Sequence, residues 1–106
     1  MKPIVDDIAK RLRDSLKESI DEFEGLYVFG SHVRGDATDD SDVDIVVLFK
    51  NGNSDLSNEF YDIIFQIDID YYDTVDIDIL PLSKEQLAMN YFFYDEVVNK
   101  GIFYGA

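Results

Sequence analysis

The stretch Val43–Phe49 constrains the fold more than any other part of the chain. Ile45-Val46-Val47-Leu48-Phe49 is the longest purely apolar run. Its β-branched and aromatic content reads as a buried strand, and Asn51-Gly52-Asn53 ends it. Leu56, Phe60, Ile63, Ile64, Ile67 and Tyr71 then follow a helical period. The Ile67-Asp68-Ile69-Asp70 alternation leaves the end of that helix ambiguous. Val75 to Leu80 alternates as a half-buried strand, and Pro81 is expected to close it. Two strands joined by a helix are parallel neighbours with a right-handed crossover.

The flanking segments complete a small domain. Pro3 suits the first position of a helix. Ile4, Ile8, Leu12, Leu16 and Ile20 recur every four residues with Val5 and Phe23 beside them, an amphipathic helix that Gly25 is expected to stop. Leu26–Phe29 reads as a strand, and its short link to Val43–Phe49 permits an antiparallel pair. Ser83 and Gln86 resemble a capping box, with Leu87 and Tyr91 on the apolar side. A last helical piece ends near Gly101, and Ile102–Tyr104 is a candidate edge strand. Tyr91-Phe92-Phe93-Tyr94 suits the core better than a partner-docking face. With 106 residues there is room for one core. The expected architecture is α/β (α+β): one domain over 1–106, a small mixed sheet with flanking helices.

Charge narrows the function. Nine Lys and Arg against 23 Asp and Glu give −14 with the histidine neutral. Residues 36–106 hold three Lys and sixteen Asp or Glu, a net of −13. Such a surface repels a polyanion and makes direct nucleic-acid binding unlikely. It suits a basic protein partner or a site that concentrates divalent cations. Without Cys there is no disulfide or thiolate metal site. No apolar run is long enough to cross a bilayer as a helix. Met1-Lys2-Pro3-Ile4 opens no apolar signal segment, so a cytoplasmic location is expected.

The three strands meet at one edge of the sheet, where Gly30-Ser31, Asp42/Asp44 and Asp76/Asp78 are brought together. Residues two apart on a strand face the same side, so Asp42 and Asp44 repel each other and lose hydration at the start of a buried strand. A divalent cation removes both costs, and Mg²⁺ commonly takes one or two carboxylates with phosphates and water. A third carboxylate, Asp76 or Asp78, allows two metals to be held. One such pair carries little weight alone, because Asp-x-Asp occurs four times in this acidic chain. What precedes Asp42 gives it meaning. Gly30 allows close backbone approach, Ser31 adds a donor, Arg34 is a planar cation suited to phosphate, and Gly35 turns the chain back. His32, the only histidine, is not expected to be catalytic.

Gly30-Ser31-His32-Val33-Arg34-Gly35 followed by Ser41-Asp42-Val43-Asp44-Ile45-Val46-Val47 resembles the signature of the polymerase β-like nucleotidyltransferases. The short length is similar to that of the minimal nucleotidyltransferase (MNT) group. The resemblance implies the polymerase β-like fold, a nucleoside triphosphate donor and Mg²⁺, with two ions. It implies that Gly30 and Ser31 hold the triphosphate and that Arg34 supports the phosphates or the turn. It implies metal binding by Asp42 and Asp44. Asp78 is expected to be the third carboxylate, which also activates the attacking hydroxyl, with Asp76 as the alternative.

By the same resemblance, the expected activity is nucleotide transfer, of AMP from ATP, to a tyrosine hydroxyl of a small helical HEPN-type toxin, the chain acting as antitoxin. A non-catalytic binding antitoxin and a transferase for a small-molecule acceptor are the alternatives. Relatives that modify small molecules usually carry an extra helical domain, which this length leaves to an oligomer to supply.

Overall fold

In a computed structural model, described over residues 1–53 and 56–106, the chain forms a four-stranded mixed sheet between two helical layers. The order along the chain is α1 (Pro3–Ser19), β1 (Phe23–Phe29), α2 (Ser31–Arg34), β2 (Val43–Phe49), α3 (Asn58–Asp70) and β3 (Ile77–Leu82). Two short helices, α4 (Lys84–Ala88) and α5 (Tyr91–Tyr94), a π-helical turn (Asp95–Asn99) and β4 (Ile102–Gly105) complete it. The strand order is β3-β2-β1-β4. β2 runs parallel to β3 and antiparallel to β1, as the connections require, and β4 adds antiparallel to the far side of β1.

Alternation along β2 divides the core. Val43, Ile45, Val47 and Phe49 face α1 and α3. Val46 and Leu48 face the other way, toward Leu87 of α4 and Val97 of the π-helical turn. Because both faces of the strand are covered, it is apolar from Ile45 onward. On α1, Val5, Ile8, Ala9, Leu12 and Leu16 are fully buried along one stripe, which gives the helix its fixed orientation on the sheet. Tyr104 of β4 donates a 2.6 Å hydrogen bond to Asp6 Oδ1 and ties the sheet edge to the first turn of α1.

Several boundaries differ from those expected. α1 ends at Ser19, not at Gly25, and Phe23 opens β1. Gly25 lies inside β1 at a break in register with β2, with φ of 138°. A Cβ there would lie 2.7 Å from the Phe103 ring, so glycine serves a close crossing of β1 and β4 rather than a helix stop. Pro81 does not close β3, which runs on to Leu82 with Pro81 opposite Val47. An edge strand tolerates a residue without an N–H, and β3 is an edge strand. It starts at Ile77 rather than Val75. The Ile67–Asp70 alternation is helical: Ile67 is buried and Ile69 exposed, opposite faces of one helix. Of the aromatic run, only Phe93 packs inward, edge-on to Phe29, while Tyr91 and Phe92 are exposed. The expected capping box at Ser83 and Gln86 is present.

Two outcomes follow for stability. Leu12→Ala should lower the unfolding free energy by about 2–5 kcal/mol in urea denaturation, the cost of an internal cavity. Burial and the bond to Asp6 push the Tyr104 hydroxyl up to about 12 from its usual 10.0. A pKa raised on folding gives stability that is complete below the unfolded value and lost as pH rises through the folded one. The wild type should therefore lose a stability component between pH 10.0 and about 12, and Tyr104→Phe should remove that component from a thermal-melt pH series.

Candidate functional site

The site is assembled by register. Phe29, the last residue of β1, pairs with Asp44, and Asp44 pairs with Asp78 across the parallel β2–β3 ladder. The backbone N–H of Val43 donates 2.8 Å to the Asp76 carbonyl, which holds Asp42 and Asp76 at the same edge. All four carboxylate-bearing residues expected at the site therefore come to one end of the sheet. Asp44 is half-buried, and burial is the chief reason its carboxyl is raised above the usual carboxylate range. Repulsion from Asp78 and then Asp42 adds to it, and His32 and Arg34 oppose it.

Asp76 stands apart in its electrostatics. Its charge acts on Asp68 of α3, where it adds to the effect of burial in raising that carboxyl. By register and by charge, Asp78 is the partner of Asp44.

Gly30 is fitted against this pair. Its φ is 84°, and a Cβ at that position would lie 2.4 Å from Asp44 Oδ2. Glycine is thus required twice, for its backbone conformation and for the carboxylate against it. The chain then enters α2, whose Val33 and Arg34 N–H groups both donate to the Gly30 carbonyl, at 3.1 and 3.0 Å. Gly35, with φ of 89°, ends the turn.

Two side chains brace the arrangement in ways the sequence did not announce. His32 is buried, and its Nε2–H donates 3.0 Å to the Ser41 carbonyl, pinning α2 to the residue before Asp42. A histidine in a polar motif carries no sign of such a contact, and its role here is to position backbone. Arg34 pairs through Nη1 with Glu96 Oε1 at 2.5 Å and through Nε with Asp36 Oδ2 at 3.4 Å. Glu96 lies 62 residues away in the π-helical turn, so no local pattern could have found it.

The donor set suits a hard divalent cation. Asp42, Asp44 and Asp78 offer only carboxylate oxygens, and their clustering leaves an excess of negative charge that such a cation would offset. Among the described residues, no three His, Asp or Glu side chains are already gathered as a metal cage. Beside the edge lies a cavity of about 340 Å³ lined by Asp39, Asp40, Ser41, Tyr72 and Asp73 among others. A smaller one of about 220 Å³ lies at the other end of β2, near Phe49 and Gly52, away from the carboxylates.

A strand, a glycine turn into a short helix, and carboxylates paired across adjacent strands make up this edge of a mixed α/β domain. Over residues 9–103 the chain matches the nucleotidyltransferase domain family, and it belongs to that family. Among curated proteins, no sequence matches it significantly. Solved structures share the fold. A toxin–antitoxin crystallised with AMP-PNP is 22% identical, with a TM-score of 0.59 over 92% of this chain and 73% of that one. A mutant of the MntA–HpeT toxin–antitoxin gives 22% identity and a TM-score of 0.60 over 96% and 73%. A tri-AMPylated Shewanella oneidensis HEPN toxin in complex with an MNT antitoxin gives 19% and 0.54 over 96% and 73%. The family and the mixed-sheet fold expected from the Gly30-Ser31 and Asp42/Asp44 motifs are thus borne out.

The contact between Gly30 and Asp44 is testable. Gly30→Ala should cost about 1–3 kcal/mol from backbone strain, plus the displacement of Asp44. In a double-mutant cycle read by urea unfolding, Gly30→Ala should cost less in an Asp44→Ala background than in the wild type.

Proposed function

We propose that the chain is a Mg²⁺-dependent nucleotidyltransferase that moves AMP from ATP to a tyrosine hydroxyl of a HEPN-type partner and so acts as its antitoxin. The observation that carries the reading is the Asp44–Asp78 register beside Asp42, with Gly30 closed against Asp44. Family membership supports transfer chemistry. The fold shared with an AMP-PNP complex and with an AMPylated HEPN toxin complex supports the donor and the acceptor. The net −14 favours a protein acceptor over a nucleic acid.

In the proposed reaction the acceptor oxygen attacks the α-phosphorus. The new O–P bond forms as the bond to the β-phosphate oxygen breaks, and pyrophosphate leaves with that electron pair. Asp78 takes the hydroxyl proton and passes it to solvent. Gly30 and Ser31 hold the triphosphate at the sheet edge. Arg34, paired with Glu96, stiffens the turn and contributes positive charge. Asp42, Asp44 and Asp78 would hold two Mg²⁺ ions. These supply charge stabilisation for the attacking and leaving oxygens when bound. The protein otherwise orients groups, because phosphoryl chemistry asks for position and charge more than for covalent help.

The chain should be mixed with each of the four nucleoside triphosphates, Mg²⁺ and a HEPN-type protein encoded beside it, then read by intact-protein mass spectrometry. A nucleotide mass should appear on the partner with ATP. Asp42→Asn/Asp44→Asn should lower the rate at least about 100-fold without lowering the melting temperature, since it relieves repulsion. A stable complex with no added mass, formed equally by both versions, would establish a binding antitoxin instead. Transfer to a small hydroxyl compound but not to the protein would move the acceptor class.

A further inference from the structure

α3 buries only one of its sides. Phe60 and Ile67 face the core, while Tyr61, Phe65, Ile69 and Tyr72 are 56, 66, 51 and 80% exposed. Tyr61, Phe65 and Ile69, four residues apart, make a ridge about 12 Å long along the helix, and Tyr72 follows in the turn just past the helix end. Single exposed apolar residues are ordinary, but a contiguous ridge with polar surroundings marks an interaction surface.

Position and charge say what covers it. One flank of α3 is taken, since Asp70 pairs with Arg11 of α1. The other flank carries Asp68, which feels Asp76 at the start of β3, the open edge of the sheet. The ridge leads to Tyr72, which also lines the cavity with Ser41 and Asp76 beside the carboxylates. Between Lys50 and Lys84 the chain has eight Asp or Glu and no Lys or Arg. On and beside the ridge, Asp62, Asp68, Asp73 and Asp76 are exposed.

We propose that the outer flank of α3 and the turn after it, from Tyr61 to Tyr72, is the docking surface for the protein acceptor, and that it takes an amphipathic helix with apolar side chains bordered by Lys or Arg. The proposal deepens the protein-acceptor reading and rests on it for the partner's role as substrate. Apolar contact along Phe65 and Ile69 supplies adhesion, and the acidic border selects a basic segment and speeds its approach. Docking there lays the partner along a line that leads into the cavity by Asp76. A second copy of this chain fits poorly, because it brings the same acidic border against itself.

The test uses the full-length chain and a synthetic amphipathic Leu/Lys helix of about four turns, with a Leu/Glu helix as control. Amide chemical-shift mapping should place the Leu/Lys helix on residues 61–72. Phe65→Gln/Ile69→Gln, both exposed and neither in the carboxylate site, should weaken it at least tenfold. Asp62→Lys/Asp73→Lys should do the same and remove its salt dependence. Shifts confined to Met89 and Phe92, or equal binding of the Leu/Glu helix, would overturn the proposal. So would sedimentation showing a wild-type dimer that Phe65→Gln/Ile69→Gln makes monomeric. Transfer is read separately on the HEPN-type partner. Wild-type rates at subsaturating partner in Phe65→Gln/Ile69→Gln would overturn the docking surface and leave the chemistry standing. Peptide bound on α3 by a wild type that transfers nothing would sink the transferase reading alone.

Discussion

The burial of β2 on both faces is the constraint on which the rest depends. Val43, Ile45, Val47 and Phe49 need α1 and α3 above them, and Val46 and Leu48 need α4 and the π-helical turn below. A strand so covered takes strands on both edges, and the helical crossover through α3 makes β3 parallel to it. Once β1 folds back antiparallel, its end and the starts of β2 and β3 share one edge. The place where Asp44 meets Asp78 is therefore a consequence of packing, not of local attraction between acidic groups.

That edge is held under electrostatic tension. Asp44 is half-buried beside two like charges, an arrangement that raises its carboxyl and disfavours the folded state. Hydrophobic burial elsewhere offsets the cost. Fixed contacts keep the repelling groups from relaxing away: Gly30 closes against Asp44, His32 holds Ser41, and Glu96 holds Arg34.

The parts of this fold that were legible in sequence are those where one pattern decides alone. The apolar run of Val43–Phe49, the four-residue period of α1 and the Ser83–Gln86 cap each specify local structure without help. Gly30-Ser31 and Asp42/Asp44 could be read because their order along the chain encodes a turn followed by a strand start. Where tertiary contact overrules a local signal, sequence misleads. Gly25 answers the Phe103 ring across the sheet, and Pro81 is tolerated because, among the described residues, no strand pairs with the outer side of β3. Phe92 and Tyr91 are apolar by composition yet exposed, since α5 is too short to bury more than one face. Glu96 reached Arg34 only through folding, and the pairing of Asp44 with Asp78 depends on a register that neighbouring residues do not set.

The same division explains how charge is used. Residues 1–35 are nearly balanced, at a net of −1, and the acidic excess falls on the part of the chain that builds the site and its approaches. At the sheet edge, Asp42 and Asp78 lie close enough to Asp44 for their charge to raise its carboxyl. Of the remaining excess, Asp76 shares that edge, while Asp62, Asp68 and Asp70 lie on α3. α3 packs on the sheet layer opposite α4 and the π-helical turn. The fold thus separates two groups of like charge: carboxylates gathered at a strand edge, where the proposed transfer would use them, and carboxylates spread along a helix, where the proposed partner would dock.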